Sequence, residues 1–177
     1  MENVCDDFDI LILSGGNDVK LEIIEEQNTD ELNSAVINRN KVELHLIESF
    51  LQNSKPIFGI CHGLQIINRY FGGTLRKVKS RDTHVSNEHL IRLESSEAQF
   101  LFGSKTMEVN SFHNFSIDNV GNGLNIDAIS LDGEIEMLSN TKKRVYAFMW
   151  HPERFISDNY SMNINQNLIK KIVNKHL

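Results

Sequence analysis

The chain has only two cysteines in 177 residues, too few for a disulfide framework. No apolar run approaches the ~20 residues that span a bilayer. Basic residues are in the minority, with 18 Lys and Arg against 24 Asp and Glu, for a net charge of −6. A general nucleic-acid role needs a basic face, so that class is set aside. The acidic start, Met1 to Asp7, has no basic n-region of a signal peptide. No internal repeat or low-complexity linker is present. The His-Glu-x-x-His and paired-cysteine spacings of many metal sites are also missing. These absences lead to an expectation of a cytoplasmic, single-domain protein over residues 1–177, with no membrane partner, metal or cofactor. A 40% hydrophobic content suffices for one good core.

What the chain does have is concentrated in three short runs. In Pro56-Ile57-Phe58-Gly59-Ile60-Cys61-His62-Gly63-Leu64-Gln65, an apolar stretch ends in a cysteine between two glycines, and an amphipathic stretch to Phe71 follows. This predicts a strand, a sharp turn and a helix, with Cys61 on the turn. A turn of that kind forces a nucleophile outward and needs small neighbours, and the helix N-terminus favours thiolate over thiol. Read alone, the motif favours a nucleophile over the other reading of Cys61, a small buried hydrophobe. The second run, Val145 to Trp150, predicts a buried strand delivering His151, with Glu153 two residues on. Alternation along an extended chain puts His151 and Glu153 on one side, as a base and the group that orients it would require. The third, Ile10 to Asp18, predicts a strand running into Gly15-Gly16, where backbone N–H groups could approach a substrate oxygen.

The remaining pattern is α/β. Strands are expected at Phe8–Leu13, Leu90–Leu93, Thr106–Val109, Phe115–Ile117, Asn125–Ser130 and Ile135–Leu138. A short helix is expected at Ala98–Phe102. A longer one starts near Thr29 or Asp30 and carries Val42, Leu46, Ile47, Phe50 and Leu51 on its apolar stripe, with Asn38 to Asn40 expected to break it. A C-terminal helix would bury Ile164, Leu168, Ile172 and Val173. Residues Asn17 to Asn28 read as a polar loop. Cys5 reads as an incidental thiol.

The order Gly-Gly, Cys, His-x-Glu resembles the class I glutamine amidotransferase superfamily. The closer likeness is to its stand-alone hydrolase branch, the γ-glutamyl hydrolases of peptidase family C26 and the γ-glutamyl-GABA hydrolase type. Thr83-His84-Val85, Glu88-His89-Leu90-Ile91, Val109 to Asn114 and Ala128 to Glu136 resemble segments of that branch. The resemblance implies a flavodoxin-like three-layer sandwich and a Cys61-His151-Glu153 triad that cleaves a γ-glutamyl amide through a thioester. It implies oxyanion donors at the Gly16 and His62 amides. It also implies that Gln65, Ser111, Phe112 and His113 grip the glutamyl end. His84 and His89 are read as positioning the loop after the elbow helix.

The chain departs from the branch in three places. His62 stands where arginine is commoner, and is expected at the mouth of the site. Arg39-Asn40 replaces an Arg-Asp pair, so the acidic partner of Arg39 is expected to be missing. Arg39 itself could meet a substrate carboxylate or be a surface charge. A strand–helix–strand that normally precedes the Gly-Gly strand is absent. That absence implies either a reading frame begun at an internal Met or another chain filling the gap. The resemblance leaves three functions open. They are a hydrolase of a small γ-glutamyl substrate, with γ-glutamyl-CDP-amidate as one candidate; a glutaminase subunit serving a synthase partner; and an inactive binding remnant. A homo-oligomer is compatible with each.

Overall fold

The computed structural model describes residues 4–16 and 31–154. Its elements are β1 (Leu11–Leu13), α1 (Glu31–Gln52), β2 (Ile57–Ile60), α2 (His62–Tyr70), β3 (Thr74–Lys77), α3 (Arg81–His84), β4 (Val85–Leu93), α4 (Ser96–Phe102), β5 (Thr106–Phe112), β6 (Phe115–Asn119), β7 (Asn125–Ser130), β8 (Ile135–Asn140) and β9 (Val145–Phe148). Seven strands form one sheet in the order β1-β2-β9-β8-β7-β4-β5, and β3 pairs with β6 separately. β1, β2 and β9 run parallel. The other pairs in this sheet are antiparallel.

Strands β2 and β9 are buried at every position, as expected where both faces of a sheet are covered. Alternation divides their side chains between two cores. Ile57, Val145 and Ala147 join Ile47, Phe50, Leu64 and Ile67 under α1 and α2. Phe58, Tyr146 and Phe148 join Ala98, Leu101, Phe102 and Trp150 on the opposite face, under α4. Burying each large aliphatic side chain contributes roughly 2 kcal/mol. These residues are therefore the main reason the three layers stay together.

Most of the expected elements are present, with differences at their ends. β1 is three residues long, and β4 reaches back to Val85. Helix α1 runs unbroken through Asn38 to Asn40. Asparagine costs well under 1 kcal/mol in a helix interior, and burial of Ile47 and Phe50 on the same helix outweighs it. Val42, expected on the buried stripe, is exposed instead. β3 is an added strand. It is held to β6 by the buried Asn68 of α2, which donates to the carbonyls of Thr74 at 3.2 Å and Asn119 at 3.1 Å and accepts from the Gly121 amide at 2.8 Å. Cys5 is buried, with its sulfur 2.8 Å from Ser49 Oγ. The expected loop at Asn17–Asn28 and the C-terminal helix lie outside the described residues.

Candidate active site

Strands β1, β2 and β9 lie side by side and point the same way, so their carboxyl ends open at one edge. Ligands of open α/β sheets bind at such ends. Cys61 follows β2 directly. Its amide donates to the Phe148 carbonyl of β9 at 2.7 Å, which fixes the elbow against the strand that leads to His151. Its backbone sits at φ 50°, ψ −99°, a conformation costing about 1–3 kcal/mol for a non-glycine residue. Cys61 is the N-cap of α2 but makes no side-chain cap hydrogen bond. Its side chain therefore does not compete for the first-turn amides of the helix.

The turn is tight because two glycines allow it. A Cβ on Gly63 would lie 2.3 Å from the Leu13 carbonyl oxygen, and one on Gly59 would lie 2.6 Å from the Gly63 carbonyl carbon. The two glycines thus let α2 lie directly on β1 and β2.

His151 is buried, and its Nδ1 donates to Glu153 Oε1 at 2.7 Å. That hydrogen bond leaves Nε2 as the basic nitrogen. Burial alone would raise the Glu153 carboxyl, but the hydrogen bond from His151 and nearby positive charge outweigh it and hold it below its usual range. The backbone of His151 is clamped by Asn110 of β5. The His151 amide donates to Asn110 Oδ1 at 2.8 Å, and Asn110 Nδ2 donates to the His151 carbonyl at 2.9 Å. One face of the ring lies against Gly15, where a Cβ would come within 2.5 Å of Cε1. Phe112 meets the ring edge-on at 5.7 Å, and Arg154 covers Phe112 at 4.5 Å. The Val109 to Asn114 motif includes Asn110 but gives it no role, because that role needs a bond between residues 41 apart in the chain.

Gln65 and His113 converge on one carbonyl. Gln65 Nε2 donates to Phe115 O at 3.4 Å, and His113 Nδ1 donates to it at 3.0 Å. Ser111 Oγ donates to the His84 carbonyl at 2.8 Å. The structure thus brings Gln65 beside the Ser111–His113 segment. An open cavity of about 300 Å³, lined by Ser86, Asn87, Glu88, Asn110 and Phe112, lies next to it.

Two expectations need correction. His62 is not at the mouth. It is 1% exposed, and its Nε2 lies 2.8 Å from Glu43 Oε2 of α1. Arg39 has an acidic partner after all, one helical turn on: Nε donates to Glu43 Oε1 at 2.8 Å. Residues i and i+4 face each other on a helix, whereas Asn40, the next residue, points elsewhere. The Arg39 guanidinium also donates to the carbonyls of Ser14 at 2.6 Å and Gly15 at 3.4 Å. Arg39 is therefore a clamp on the Gly-Gly loop rather than a simple surface charge. One turn of α1 holds that loop with Arg39 and the elbow with Glu43.

Burial alone would raise the Glu43 carboxyl, but His62 and Arg39 outweigh it and hold it below the usual range. A depressed carboxylate adds stability above its unfolded value, and that stability is lost as pH falls through the folded value. Glu43→Gln should be less stable than the parent by about 1 kcal/mol near neutral pH. The gap should start to narrow as pH falls below the usual glutamate range and close only below the depressed folded value, where both chains carry a neutral group. Urea midpoints measured from pH 7 to pH 3 check this. A gap that does not narrow by pH 3 would show that lost packing, not lost charge, is the cause.

A sheet with this strand order and a strained cysteine turn at its parallel end defines a class I glutamine amidotransferase fold. The crystal structure of a GMP synthase-type protein from Thermoplasma acidophilum has the same fold, with a TM-score of 0.70 at 24% identity, covering 97% of this chain and 76% of that one. The chain belongs to the peptidase C26 family, whose profile matches residues 1–153. It is 35% identical to a glutamine amidotransferase-like protein of Lactococcus lactis, over 82% of this chain and 66% of that protein. It is 30% identical to the γ-glutamyl-CDP-amidate hydrolase of Campylobacter jejuni, over 81% of this chain and 62% of that protein. The chain thus spans about two thirds of the length of these relatives. No helix among the described residues is long and apolar enough to cross a membrane.

Proposed function

We propose that the chain hydrolyses the amide bond of a small γ-glutamyl compound through a thioester on Cys61. The observation that carries this reading is the strained Cys61 turn bonded to β9, three residues before a histidine backed by a carboxylate. His151 Nε2 takes the thiol proton, and the sulfur attacks the γ-carbonyl carbon. The resulting oxyanion faces the amides of Gly16 and His62. Collapse of the intermediate breaks the C–N bond, and His151 returns its proton to the departing amine. Water then loses a proton to His151 and attacks the thioester. Glutamate leaves, and the thiol is restored. Gln65 and the backbone of Ser111, Phe112 and His113 hold the glutamyl end. Arg39 acts through the Gly15–Gly16 loop it clamps, as a positioning residue.

The cavity beside Phe112 is the space assigned to the leaving amine. A carboxylate, Glu88, stands on its wall, which favours a neutral or cationic amine. The name of the Campylobacter relative points instead to a CDP-amidate. Glutamate release across glutamine, γ-glutamyl-GABA, a γ-glutamyl peptide and γ-glutamyl-CDP-amidate separates these readings. One larger amide should exceed glutamine in kcat/KM by about tenfold or more, since contacts to the amine half add transition-state binding. If glutamine is best, or turnover appears only with a synthase present, a glutaminase subunit replaces the hydrolase. If no compound is cleaved, a binding remnant does.

A further inference from the structure

A second cluster lies behind the Ser111–His113 segment, and the reaction above makes no use of its chemistry. Glu136 of β8 is wholly buried. Its Oε1 faces three imidazole nitrogens: His84 Nδ1 at 3.4 Å, His89 Nε2 at 3.3 Å and His113 Nε2 at 3.5 Å. His84 and His113 are also wholly buried, and His89 is 9% exposed. None of these approaches is a well-formed hydrogen bond. Both Glu136 oxygens and all three facing nitrogens are buried without a hydrogen-bond partner. Each such orphaned group would cost about 1–3 kcal/mol, so the cluster calls for a further partner.

The outer nitrogens show what that is. His89 Nδ1 lies 3.2 Å from the Thr83 carbonyl, and His113 Nδ1 lies 3.0 Å from the Phe115 carbonyl. A carbonyl can only accept, so both Nδ1 atoms carry the proton. His84 Nε2 lies 3.0 Å from Asp132 Oδ2, which likewise makes it the donor. In a neutral ring the inner nitrogen is then a bare lone pair. Three lone pairs aimed at a carboxylate oxygen repel one another unless a cation sits between them. An outer nitrogen held by a carboxylate or carbonyl is also the usual support of a metal-bound histidine.

The carboxylate–imidazole distances agree. Bonds of about 2.0–2.1 Å from zinc to nitrogen or oxygen place tetrahedral ligands about 3.3–3.4 Å apart, close to the spacings from Glu136 Oε1 and longer than most N–H···O hydrogen bonds. The ligand atoms of His84, His113 and Glu136 all lie within 4.8 Å of one another, so an ion would draw them closer. His89 meets the same carboxylate oxygen from a further side and falls outside that group.

We propose that His84, His113 and Glu136 bind one divalent transition-metal ion of the zinc type, with His89 beside the same carboxylate. Two imidazoles and one carboxylate suit that ion better than magnesium or calcium, which take oxygen ligands. Three protein ligands leave one tetrahedral position for water, and the full burial of all three residues keeps substrate from it. The ion joins the end of α3, the residue after β5, and β8. Ser111 Oγ and the His113 amide both bond the His84 carbonyl, so the ion also anchors the segment assigned to the glutamyl end. The ligands run from residue 84 to residue 136 without any short metal motif. Pairing of Val85 with Phe112 and of His89 with Val109 brings them together. The site stands apart from the proposed reaction and does not depend on it.

The test uses the full chain, untagged and carrying Cys61→Ala so that the elbow thiol offers no ligand. Grown with zinc and dialysed against metal-free buffer, it should retain about one zinc per chain. Stripping with dipicolinate should lower Tm by about 5–10 °C, and zinc chloride should restore it. Glu136→Gln, close in shape, should weaken zinc binding at least ~10-fold, and His84→Ala should do the same. Cobalt added to the stripped chain should give the visible bands of a tetrahedral ion, a readout that needs no further variant to fold. No retained metal, a Tm indifferent to zinc and no cobalt bands would overturn the proposal and leave shared protons holding the cluster. Equal zinc binding by parent, Glu136→Gln and His84→Ala would overturn it too, by placing the ion elsewhere.

Discussion

Cys61→Ala should lower glutamate release at least ~10³-fold, because no other group can form the thioester. Cys61→Ser should fall almost as far, since a hydroxyl at the same turn does not form the anion readily. Neither change should unfold the protein. The side chain makes no cap bond, and the strained turn is set by the backbone bond to Phe148 rather than by the sulfur. Cys5→Ala is the control. It removes a buried contact with Ser49, so it should cost about 1 kcal/mol of stability and leave turnover intact. Glutamate release and thermal unfolding are measured on the same samples. Full turnover by Cys61→Ala would remove the whole mechanism.

Gly63→Ala should be the most damaging single methyl in the described residues. The added Cβ would fall 2.3 Å from a backbone oxygen of β1, and a strand cannot step aside as a flexible side chain can. Helix α2 would have to lift from the sheet, at about 2–4 kcal/mol by the usual cost of overpacking and more. Lifting α2 also moves the His62 amide and Gln65, so turnover should fall with stability. Gly103→Ala is the contrast. Gly103 caps α4 at φ 69° with open space around its Cβ position, so only the left-handed backbone is penalised, by about 1–2 kcal/mol. Urea midpoints rank the two, and a larger loss at Gly103 would mean that the close approach of α2 to β1 is wrong.

Much of this is legible in the chain itself, for local reasons. The elbow, β7, α4 and the strand before His151 are short runs whose apolar pattern and turn residues agree. Glycine spacing around Cys61 marks a close approach that the structure then explains atom by atom. What escapes the sequence depends on partners distant along it. Asn110 has meaning only once β5 lies beside the His151 turn. Glu43 is missed when the acidic partner of Arg39 is sought beside it, because a helix presents that partner four residues on. His84 and His89 read as positioning residues, and His113 as part of the glutamyl grip, until a buried glutamate from β8 is placed among them. His62 goes to the wrong place because a motif marks the turn without marking the side of it that α1 covers.

The sheet order also sets a timetable. β9 lies between β2 and β8, yet it is the last strand of the described chain. Until it emerges from the ribosome, β1-β2 and β8-β7-β4-β5 are two separate ribbons, each with a bare hydrogen-bonding edge. Residues 57–60 must wait for residues 145–148, a separation that slows folding and lengthens exposure to wrong partners. When β9 slots in, it closes both edges, and the bond from the Cys61 amide to the Phe148 carbonyl forms in the same event. The Cys61 turn and the sheet are therefore completed together, so a chain short of β9 carries neither.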